Sequence, residues 1–145
     1  ALKQAQRLLD KQFLVLNGDT YLPINYREVV SNFCKSGKKG LMAVYNNREN
    51  TSVLNNVDID EGSLMVTGYN KDGGSALKYV DAGVLALHRE ALDLIEVGKM
   101  VSLEDGIFLP LIEQRELIAY ISGERFYDVG TLERIKQFEA FVRER

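Results

Sequence analysis

Two aspartates, each close behind a short apolar segment, could together hold a divalent cation. Asp19 follows the run at 13–16, and Asp128 follows an aromatic pair at 126–127. Open α/β sheets bind ligands beyond the carboxyl ends of their strands, and Gly18 lets a cation approach the backbone beside Asp19. Two carboxylates ~4 Å apart repel by roughly 4 kcal/mol at an effective dielectric of about 20, so such a pair needs a proton or a cation. An all-oxygen ligand set predicts Mg²⁺, which takes substrate phosphates as further ligands.

The same two residues also have a purely structural interpretation. Asp19 would begin an Asx-type turn, and Asp128 would cap the region of the last helix. More than one hundred residues separate them in the chain, so only the fold can bring their carboxylates together.

Three further residues are candidates for contacts with a ligand. Lys71 lies in a polar, glycine-rich loop and is a candidate phosphate or sugar contact. Asp81 lies within an apolar strand, where an unpaired charge is costly, so it is either hydrogen-bonded within the protein or part of a polar site. Gly83 beside it would allow the close approach of a ligand.

Several other chemistries are excluded by what the sequence lacks. The single histidine, His88, and the single cysteine, Cys34, cannot form the usual His/Cys zinc sites within one chain or an internal disulfide. The single histidine does not support a Ser-His-Asp catalytic triad either. The sequence contains neither G-x-G-x-x-G nor G-x-x-x-x-G-K-[ST].

The elements that must position these side chains alternate between strand and helix. Apolar runs at 13–16 and 41–45 predict strands, and helical spacing at 25–35 predicts a helix between them that ends at Gly37. Alternation around a Glu61-Gly62 turn predicts a β-hairpin. The other predicted elements are a helix at 1–10, a strand at 79–87, a helix at 89–97, a helix that opens at 102, short strands at 117–121 and 126–130, and a helix at 132–143.

This pattern predicts an α/β fold with a Rossmann-like mixed, mostly parallel sheet, flanked by helices and carrying an inserted β-hairpin. The 145 residues are the length of one domain, 1–145. A content of 46% hydrophobic and 27% charged residues is enough for a sizeable core.

Charge and hydropathy limit the partners. The net charge of −3 argues against a nucleic-acid partner, and the apolar runs are too short to span a membrane. With a single cysteine and no signal for an oxidising compartment, we expect a cytoplasmic protein.

Short motifs along nearly the whole chain resemble those of the sugar-1-phosphate nucleotidyltransferases, also called nucleotide-sugar pyrophosphorylases. They come in the family's order, and Lys71 falls where the family has the lysine of an E-K pair. The sequences of these motifs resemble the mannose- or heptose-1-phosphate guanylyltransferase branch more than the rest of the family. The motifs are Phe13-Leu14-Val15-Leu16-Asn17-Gly18-Asp19-Thr20 for N-G-D, Val80-Asp81-Ala82-Gly83-Val84 for N-A-G, Ser102-Leu103-Glu104-Asp105-Gly106-Ile107-Phe108 for S-L-E-x-D-x-F, and Phe126-Tyr127-Asp128-Val129-Gly130-Thr131 for D-x-G-T.

The resemblance implies a reaction and a set of roles. A sugar 1-phosphate attacks the α-phosphate of a nucleoside triphosphate, giving an NDP-sugar and pyrophosphate. Asp19 and Asp128 would be the catalytic pair and would hold Mg²⁺ against the phosphates. Lys71 would contact the sugar phosphate, and Asp81 with Gly83 would line the sugar pocket. The substrate-binding residues that it implies are Asn17, Gly18, Lys71, Asp81 and Gly83.

The chain departs from the family pattern in three ways. Asn70 stands where the family usually has glutamate, and Asp81 replaces the usual asparagine. These two changes leave the identity of the sugar undetermined. The family's glycine-rich triphosphate-binding region would precede Ala1, so the resemblance covers only the later part of a catalytic domain. We therefore expect little or no transferase activity from this chain alone.

Two other classes of function stay open at this point. The chain could be a non-catalytic sugar-phosphate-binding or interaction subunit that reuses the fold, or a purely structural domain. If the opening strands of the sheet are absent, a strand edge is left exposed and invites self-association. We therefore expect a homo-oligomer.

Overall fold

A mixed β-sheet with helices on both faces organises the computed structural model, which describes residues 1–49 and 51–144. The helices are α1 (Leu2–Ala5), α2 (Tyr26–Ser36), α3 (Leu109–Glu113) and α4 (Leu132–Arg143). The strands are β1 (Gln12–Leu16), β2 (Thr20–Tyr21), β3 (Gly40–Tyr45), β4 (Val57–Asp60), β5 (Met65–Tyr69), β6 (Val80–His88), β7 (Leu117–Ser122) and β8 (Tyr127–Asp128). Shorter helical segments are the 3₁₀ turns Gln6–Leu8 and Arg89–Leu94 and the π-helical turn Glu104–Phe108.

The sheet is less parallel than the sequence predicts. Its strand order is β1-β6-β3-β7-β5-β4, and among the described strands only β3 and β7 pair in parallel. The helix α2 does carry the chain from β1 to a strand of the same direction, but the later strand β6 inserts between them, antiparallel to both. The prediction of a mixed α/β sheet with a hairpin is confirmed, and the prediction of a mostly parallel sheet is wrong. An apolar run indicates that a strand is buried, but it does not indicate the direction in which the strand runs.

Local signals place the ends of the main helices. The side chain of Asn25 accepts a hydrogen bond from the amide of Arg27 at the start of α2, and Gly37 ends that helix with φ of 64°. The Thr131 side chain caps α4 in the same way, by accepting from the amide of Arg134. These are ordinary helix caps, which is why the sequence predicts both helices closely.

Two hydrophobic clusters lie on the two faces of the sheet. One face packs Met42 and Leu85 against the segments after β6, including Leu92 and Leu111. The other face packs Leu41 and neighbouring strand residues against α2 and Phe126. Burial on both faces explains why β3, the strand at 40–45, is apolar at nearly every position.

Three predicted elements differ in detail. The helix predicted at 89–97 is a 3₁₀ turn, and the one that opens at Ser102 continues as a π-helical turn before α3. The apolar run at 13–16, which has no alternation, also predicts a strand buried on both faces, but among the described strands β1 is at the edge, with Leu16 53% exposed. No helix in the described ranges is long and apolar enough to cross a membrane.

Candidate functional site

The turn after β1 packs directly onto Gly83 of β6. The amide of Asn17 donates to the carbonyl of Gly83 at 2.9 Å, and the amide of Thr20 closes the turn onto the Asn17 carbonyl at 3.3 Å. Gly83 has φ of +76°, and a Cβ atom there would lie 3.0 Å from Thr20 Cγ2 and 3.2 Å from Asn17 Nδ2. Glycine is therefore required by the protein's own turn. The ligand contact predicted for Gly83 stays a prediction.

A short antiparallel ladder joins the two predicted metal ligands. The strand β2 pairs with β8, so that Thr20 lies opposite Asp128. Next to this pair, the amide of Val129 donates to the carbonyl of Asp19 at 3.0 Å. Segments that are more than one hundred residues apart in the chain thus meet at one end of the sheet.

The two carboxylates already have partners within the protein. Asp19 Oδ1 accepts from the Thr20 hydroxyl at 3.1 Å. Asp128 Oδ1 accepts from the Gly130 amide at 3.0 Å and from Arg134 Nη1 at 3.0 Å. These contacts resemble the structural alternative, in which Asp128 is tied to the beginning of α4. In the described part of the chain, Asp128 Oδ2 has no hydrogen-bond partner in the structure.

The metal-binding chemistry at this place is limited to these few oxygens. Among the described residues, no group of three or more His, Cys, Asp or Glu side chains is placed to hold a metal ion. A cation bound by either carboxylate here would therefore need further oxygens from a substrate or from water.

Asp81 lies at the beginning of β6, beside the same turn. Its Oδ1 accepts from the Gly83 amide at 2.9 Å, and its own amide donates to Asn56 Oδ1 at 2.8 Å. Burial raises the pKa of the Asp81 carboxyl to about 6, the Gly83 hydrogen bond opposes this shift, and the charge of Glu104 adds to it. Burial, followed by the charges of Asp81 and Glu104, also raises the pKa of Tyr69. A carboxylate with a pKa raised in this way is a frequent feature of functional sites.

Asn56 is a site residue that the sequence reasoning missed. Besides its bond to Asp81, its carbonyl accepts from the amide of Asn70 at 2.9 Å. It therefore ties the loop that carries Lys71 to the beginning of β6. An asparagine before a hairpin strand is not distinctive in one sequence, so no signal pointed to it.

The loop that carries Lys71 is folded by its own asparagine. Asn70 Oδ1 accepts from the amide of Asp72 at 3.1 Å, and its Nδ2 donates to the Gly73 carbonyl at 2.9 Å. Lys71 itself is exposed. An open groove of about 530 Å³ lies against the same loop. The residues that line it are Asn47, Val53, Leu54, Asn55, Asp72, Gly73, Gly74, Ser75 and Leu77.

The predicted site residues therefore fall into two neighbouring groups. Asn17, Asp19 and Asp128 gather around the β2–β8 ladder, and Asp81 with Gly83 lies directly beneath the turn. The loop of Lys71 is linked to Asp81 through Asn56. Gly18 is exposed and has nothing within 4 Å of an added Cβ, so the fold itself does not require glycine there.

Comparison with known proteins supports one family, although no protein-family model matches the sequence. Over 118 residues the chain is 29% identical to the mannose-1-phosphate guanylyltransferase catalytic subunit beta of Drosophila melanogaster. The match covers 81% of this chain and 31% of that protein. The chain thus spans about one third of this curated relative.

Solved structures match over almost the whole chain. A Bacillus anthracis protein assigned as a glucose-1-phosphate thymidylyltransferase, crystallised with sucrose, has a TM-score of 0.83 at 13% identity, over 99% of this chain and 60% of its own. HddC from Yersinia pseudotuberculosis has a TM-score of 0.74 at 19% identity, over 97% and 60%. The UTP-bound UGPase of Acinetobacter baumannii has 0.74 at 15% identity, over 99% and 55%.

These likenesses agree with the family that the motifs resemble. The fold covers most of the chain in each comparison, and this chain covers no more than about 60% of the solved chains named above. In sequence over most of its length, and in fold, this chain resembles the sugar-1-phosphate nucleotidyltransferases.

Proposed function

We propose that this chain acts in a sugar-1-phosphate nucleotidyltransferase. Such an enzyme joins a sugar 1-phosphate to a nucleoside triphosphate and releases pyrophosphate. The observation that carries the proposal is the β2–β8 ladder, which brings Asp19 and Asp128 together beside the turn on Gly83. The resemblance of these segments to the family's motifs supports the same conclusion.

The reaction requires that the two substrates be aligned and that the charge of their phosphates be neutralised. It needs little covalent catalysis by side chains. An oxygen of the sugar phosphate attacks the α-phosphorus of the triphosphate while the bond from that phosphorus to the bridging oxygen of the β-phosphate breaks. Pyrophosphate leaves with the electron pair. Little side-chain covalent chemistry is needed, which suits a chain with one histidine and one cysteine.

The residues present fit a hard divalent cation. The two carboxylates of Asp19 and Asp128 would hold Mg²⁺, and the oxygen of Asp128 that Arg134 does not contact is the one suited to it. A bound Mg²⁺ supplies positive charge that stabilises the phosphate oxygens. Arg134 partly neutralises the Asp128 carboxylate through an ion pair of 3.0 Å.

The sugar side of the site lies at the beginning of β6. The exposed ammonium of Lys71 is suited to the sugar phosphate, and the partly buried carboxylate of Asp81 is suited to accept hydrogen bonds from sugar hydroxyls. Asn17, Gly18 and Gly83 belong to the turn and the strand position that pack together beside Asp19, and they would add substrate contacts there. We assign these roles by position and by resemblance.

In more detail, we propose that the nucleotide base is guanine and that the sugar is of the mannose or heptose type. The curated relative is a mannose-1-phosphate guanylyltransferase subunit, and HddC was also crystallised with GMP-PN. Other structural neighbours use different bases, among them an inositol-1-phosphate CTP transferase from T. maritima. The base is therefore the part of the proposal that most needs a measurement.

The proposal also includes the compartment, the oligomeric state and the activity of this chain alone. We expect the protein to act in the cytoplasm and to form a homo-oligomer. Because the chain spans 31% of its curated relative, we expect weak binding of the nucleotide and little turnover by this chain alone.

The first experiment is a titration of the chain with Mg²⁺ and a panel of sugar 1-phosphates and NDP-sugars, followed by NMR. We expect saturable, Mg²⁺-dependent shifts at Asp19, Lys71, Asp81 and Asp128. Asp19→Asn and Asp128→Asn should each weaken the Mg²⁺-dependent response by about tenfold or more, since each removes a charged ligand. Asp10→Asn, at an exposed position away from the ladder, is the matched control.

Two outcomes would contradict the proposal. If no shifts appear at millimolar ligand, the chain keeps the fold without the site. If the shifts survive both aspartate substitutions, the carboxylates have only the structural role that the Gly130 and Arg134 contacts of Asp128 suggest. Sugar-phosphate binding that needs neither Mg²⁺ nor Asp128 would favour the non-catalytic binding subunit.

A further inference from the structure

Arg134 of α4 joins the Asp128 carboxylate to a loop that is far away in the sequence. Its Nη1 donates to Asp128 Oδ1 at 3.0 Å, and its Nη2 donates to the carbonyl of Ser52 at 3.1 Å. The side chains of Arg134 and Asp128 are only 27% and 15% exposed, so water competes little for the bond between them. Because the guanidinium is planar and rigid, two bonds from its terminal nitrogens fix both acceptors relative to each other.

The loop that Arg134 contacts, which we call the strap, consists of residues 47–49 and 51–56. Asn47 organises it: its Oδ1 accepts from the amide of Thr51 at 2.9 Å, and its Nδ2 donates to the Val53 carbonyl at 3.0 Å. Ser52 has φ of 62°, in the left-handed region that residues other than glycine rarely adopt. Such a backbone persists only where its surroundings hold it, and the bond from Arg134 is one of the contacts that do so.

The strap packs closely against the surroundings of Asp128. Arg125, just before β8, forms an ion pair of 3.9 Å with Glu49. Thr51 is buried, with 4% exposure. The cavity that Thr51 lines together with Arg134 and Asp128 has a volume of about 10 Å³, which leaves room for about one water molecule. A displacement at Asp128 therefore meets the strap directly.

The other end of the strap reaches the residues that we propose for the sugar. Asn55 Oδ1 accepts from Asn47 Nδ2 at 3.0 Å, which joins the two halves of the strap. The Asn55 carbonyl accepts from the amide of Gly74 at 3.3 Å, in the loop that follows β5. The next residue, Asn56, accepts from the amide of Asp81 at 2.8 Å. A continuous set of contacts thus runs from one side of the candidate site to the other.

We propose that Arg134 is a positioning residue that couples the Mg²⁺ side of the site to its sugar side through the strap. The inference rests on the proposed function. Arg134 and the Gly130 amide both bond to Asp128 Oδ1, and they therefore leave Oδ2 for the cation. When Mg²⁺ draws on Asp128, the rigid guanidinium passes the movement to Ser52, and the strap passes it on to Asn56.

The alternative role of Arg134 is charge compensation alone, and a lysine distinguishes the two. Arg134→Lys keeps the positive charge but has a single nitrogen, which cannot hold two acceptors in one plane. If charge alone matters, this variant binds Mg²⁺ as the wild type does. If positioning matters, its dissociation constant for Mg²⁺ should rise by about tenfold, as is typical when a residue that orients a metal ligand is replaced.

NMR of the whole chain, titrated with Mg²⁺ alone, tests the coupling. In the wild type, the Gly130 amide and the side-chain amide of Asn56 should shift with the same midpoint. In Arg134→Lys, the shift at Asn56 should disappear even at saturating Mg²⁺, because the link between Asp128 and the strap is broken. Arg143→Lys makes the same exchange at an exposed position of the same helix and should behave as the wild type.

A second measurement needs no metal. The Thr51 amide, which donates to Asn47, should exchange its hydrogen at least about threefold faster in Arg134→Lys and unchanged in Arg143→Lys. Unchanged exchange at Thr51 overturns the inference, and so does an Arg134→Lys variant with the wild-type response to Mg²⁺ at Gly130 and Asn56. If the wild type itself does not respond to Mg²⁺, the proposed function fails, and exchange at Thr51 alone decides whether Arg134 holds the strap.

Discussion

Asp81 and Gly83, two residues apart on β6, carry most of the constraint at the candidate site. Gly83 is needed because the turn at Asn17–Thr20 lies against it, and Asp81 keeps a carboxyl group beside that turn. The sequence alone shows that a charge within an apolar strand needs an explanation. It does not show that Asn56 accepts a hydrogen bond from the backbone amide of Asp81, because nothing local links residues 56 and 81.

The raised pKa of Asp81 makes protein stability depend on pH. The folded-state pKa of about 6 lies above the ordinary value of 3.8, so the folded state binds the proton more tightly than the unfolded state. The resulting stabilisation is complete below about pH 4 and is lost as the pH rises to about 6. At neutral pH the ionised carboxylate therefore costs stability, which is typical of a residue kept for function.

Asp81→Asn should remove this cost, because the amide oxygen can still accept from Gly83. We expect the gain in the free energy of unfolding to be about 1–2 kcal/mol larger at pH 7.5 than at pH 4.5. Urea denaturation at the two pH values measures it, with Asp10→Asn as the same exchange at an exposed position. Equal gains at both pH values would show that burial does not raise the pKa of Asp81.

Gly83→Ala should destabilise the protein by about 2–3 kcal/mol. The substitution combines a φ of +76° with contacts of 3.0 to 3.2 Å to Thr20 and Asn17, and both effects are unfavourable. Gly18→Ala, one residue from Asn17 in the same turn, meets nothing within 4 Å and should change stability by less than about 0.5 kcal/mol. Thermal denaturation of the two variants side by side measures the difference. Similar losses for both would mean that the turn does not lie against Gly83.

Among the secondary-structure elements, the helix caps can be predicted from the sequence, whereas the strand pairings cannot. Asn25, Gly37 and Thr131 place the ends of α2 and α4 through contacts within a few residues. The pairing of β2 with β8 and the insertion of β6 between β1 and β3 depend on contacts across most of the chain. The sequence alone therefore cannot show that the segments of Asp19 and Asp128 meet, and their role as metal ligands stays a prediction.

The helix α4 is attached through an aromatic cluster and contains no fully buried residue. Phe138 lies 5.6 Å from the Tyr21 ring and 6.0 Å from the Tyr127 ring, measured between centroids. These contacts hold α4 on the β2–β8 ladder. They also hold Arg134, which lies in α4, against Asp128.

Phe138→Ala should loosen α4 and the ladder together. We expect a loss of about 1.5–3 kcal/mol from the lost aromatic contacts and burial. Hydrogen exchange in α4 and at the β8 amides should accelerate, while exchange in β3 changes little. Leu132→Ala removes an exposed side chain of the same helix and serves as the control. If both variants exchange alike, the aromatic cluster does not anchor the helix.

For the whole molecule, stability should decrease from the centre of the sheet outward. The strand β3 is paired on both sides, with β6 and β7, and is buried along its length. The β2–β8 ladder contains only two residue pairs. The candidate site therefore combines the firmly held beginning of β6 with a weakly held pair of short strands.

This gradient predicts the order of native-state hydrogen exchange. Amides of β3 and of its partners on β6 should exchange only through global unfolding, and those of β2, β8 and α4 through local opening. Exchange measured by NMR across increasing denaturant distinguishes the two groups. Equal exchange free energies for the ladder and for β3 would contradict the gradient.

The insertion of β6 between β1 and β3 also has a consequence during translation. The neighbour that β1 needs begins at Val80 and pairs with it in the register of Leu14 with Ala86, about seventy residues later. At roughly 5–20 residues per second, a ribosome makes that stretch in about 4 to 14 seconds. For that time the nascent chain carries an apolar strand without its β6 neighbour. The risk of misassembly is therefore greatest during this interval, and we expect the yield of folded protein to depend on chaperones that shield β1.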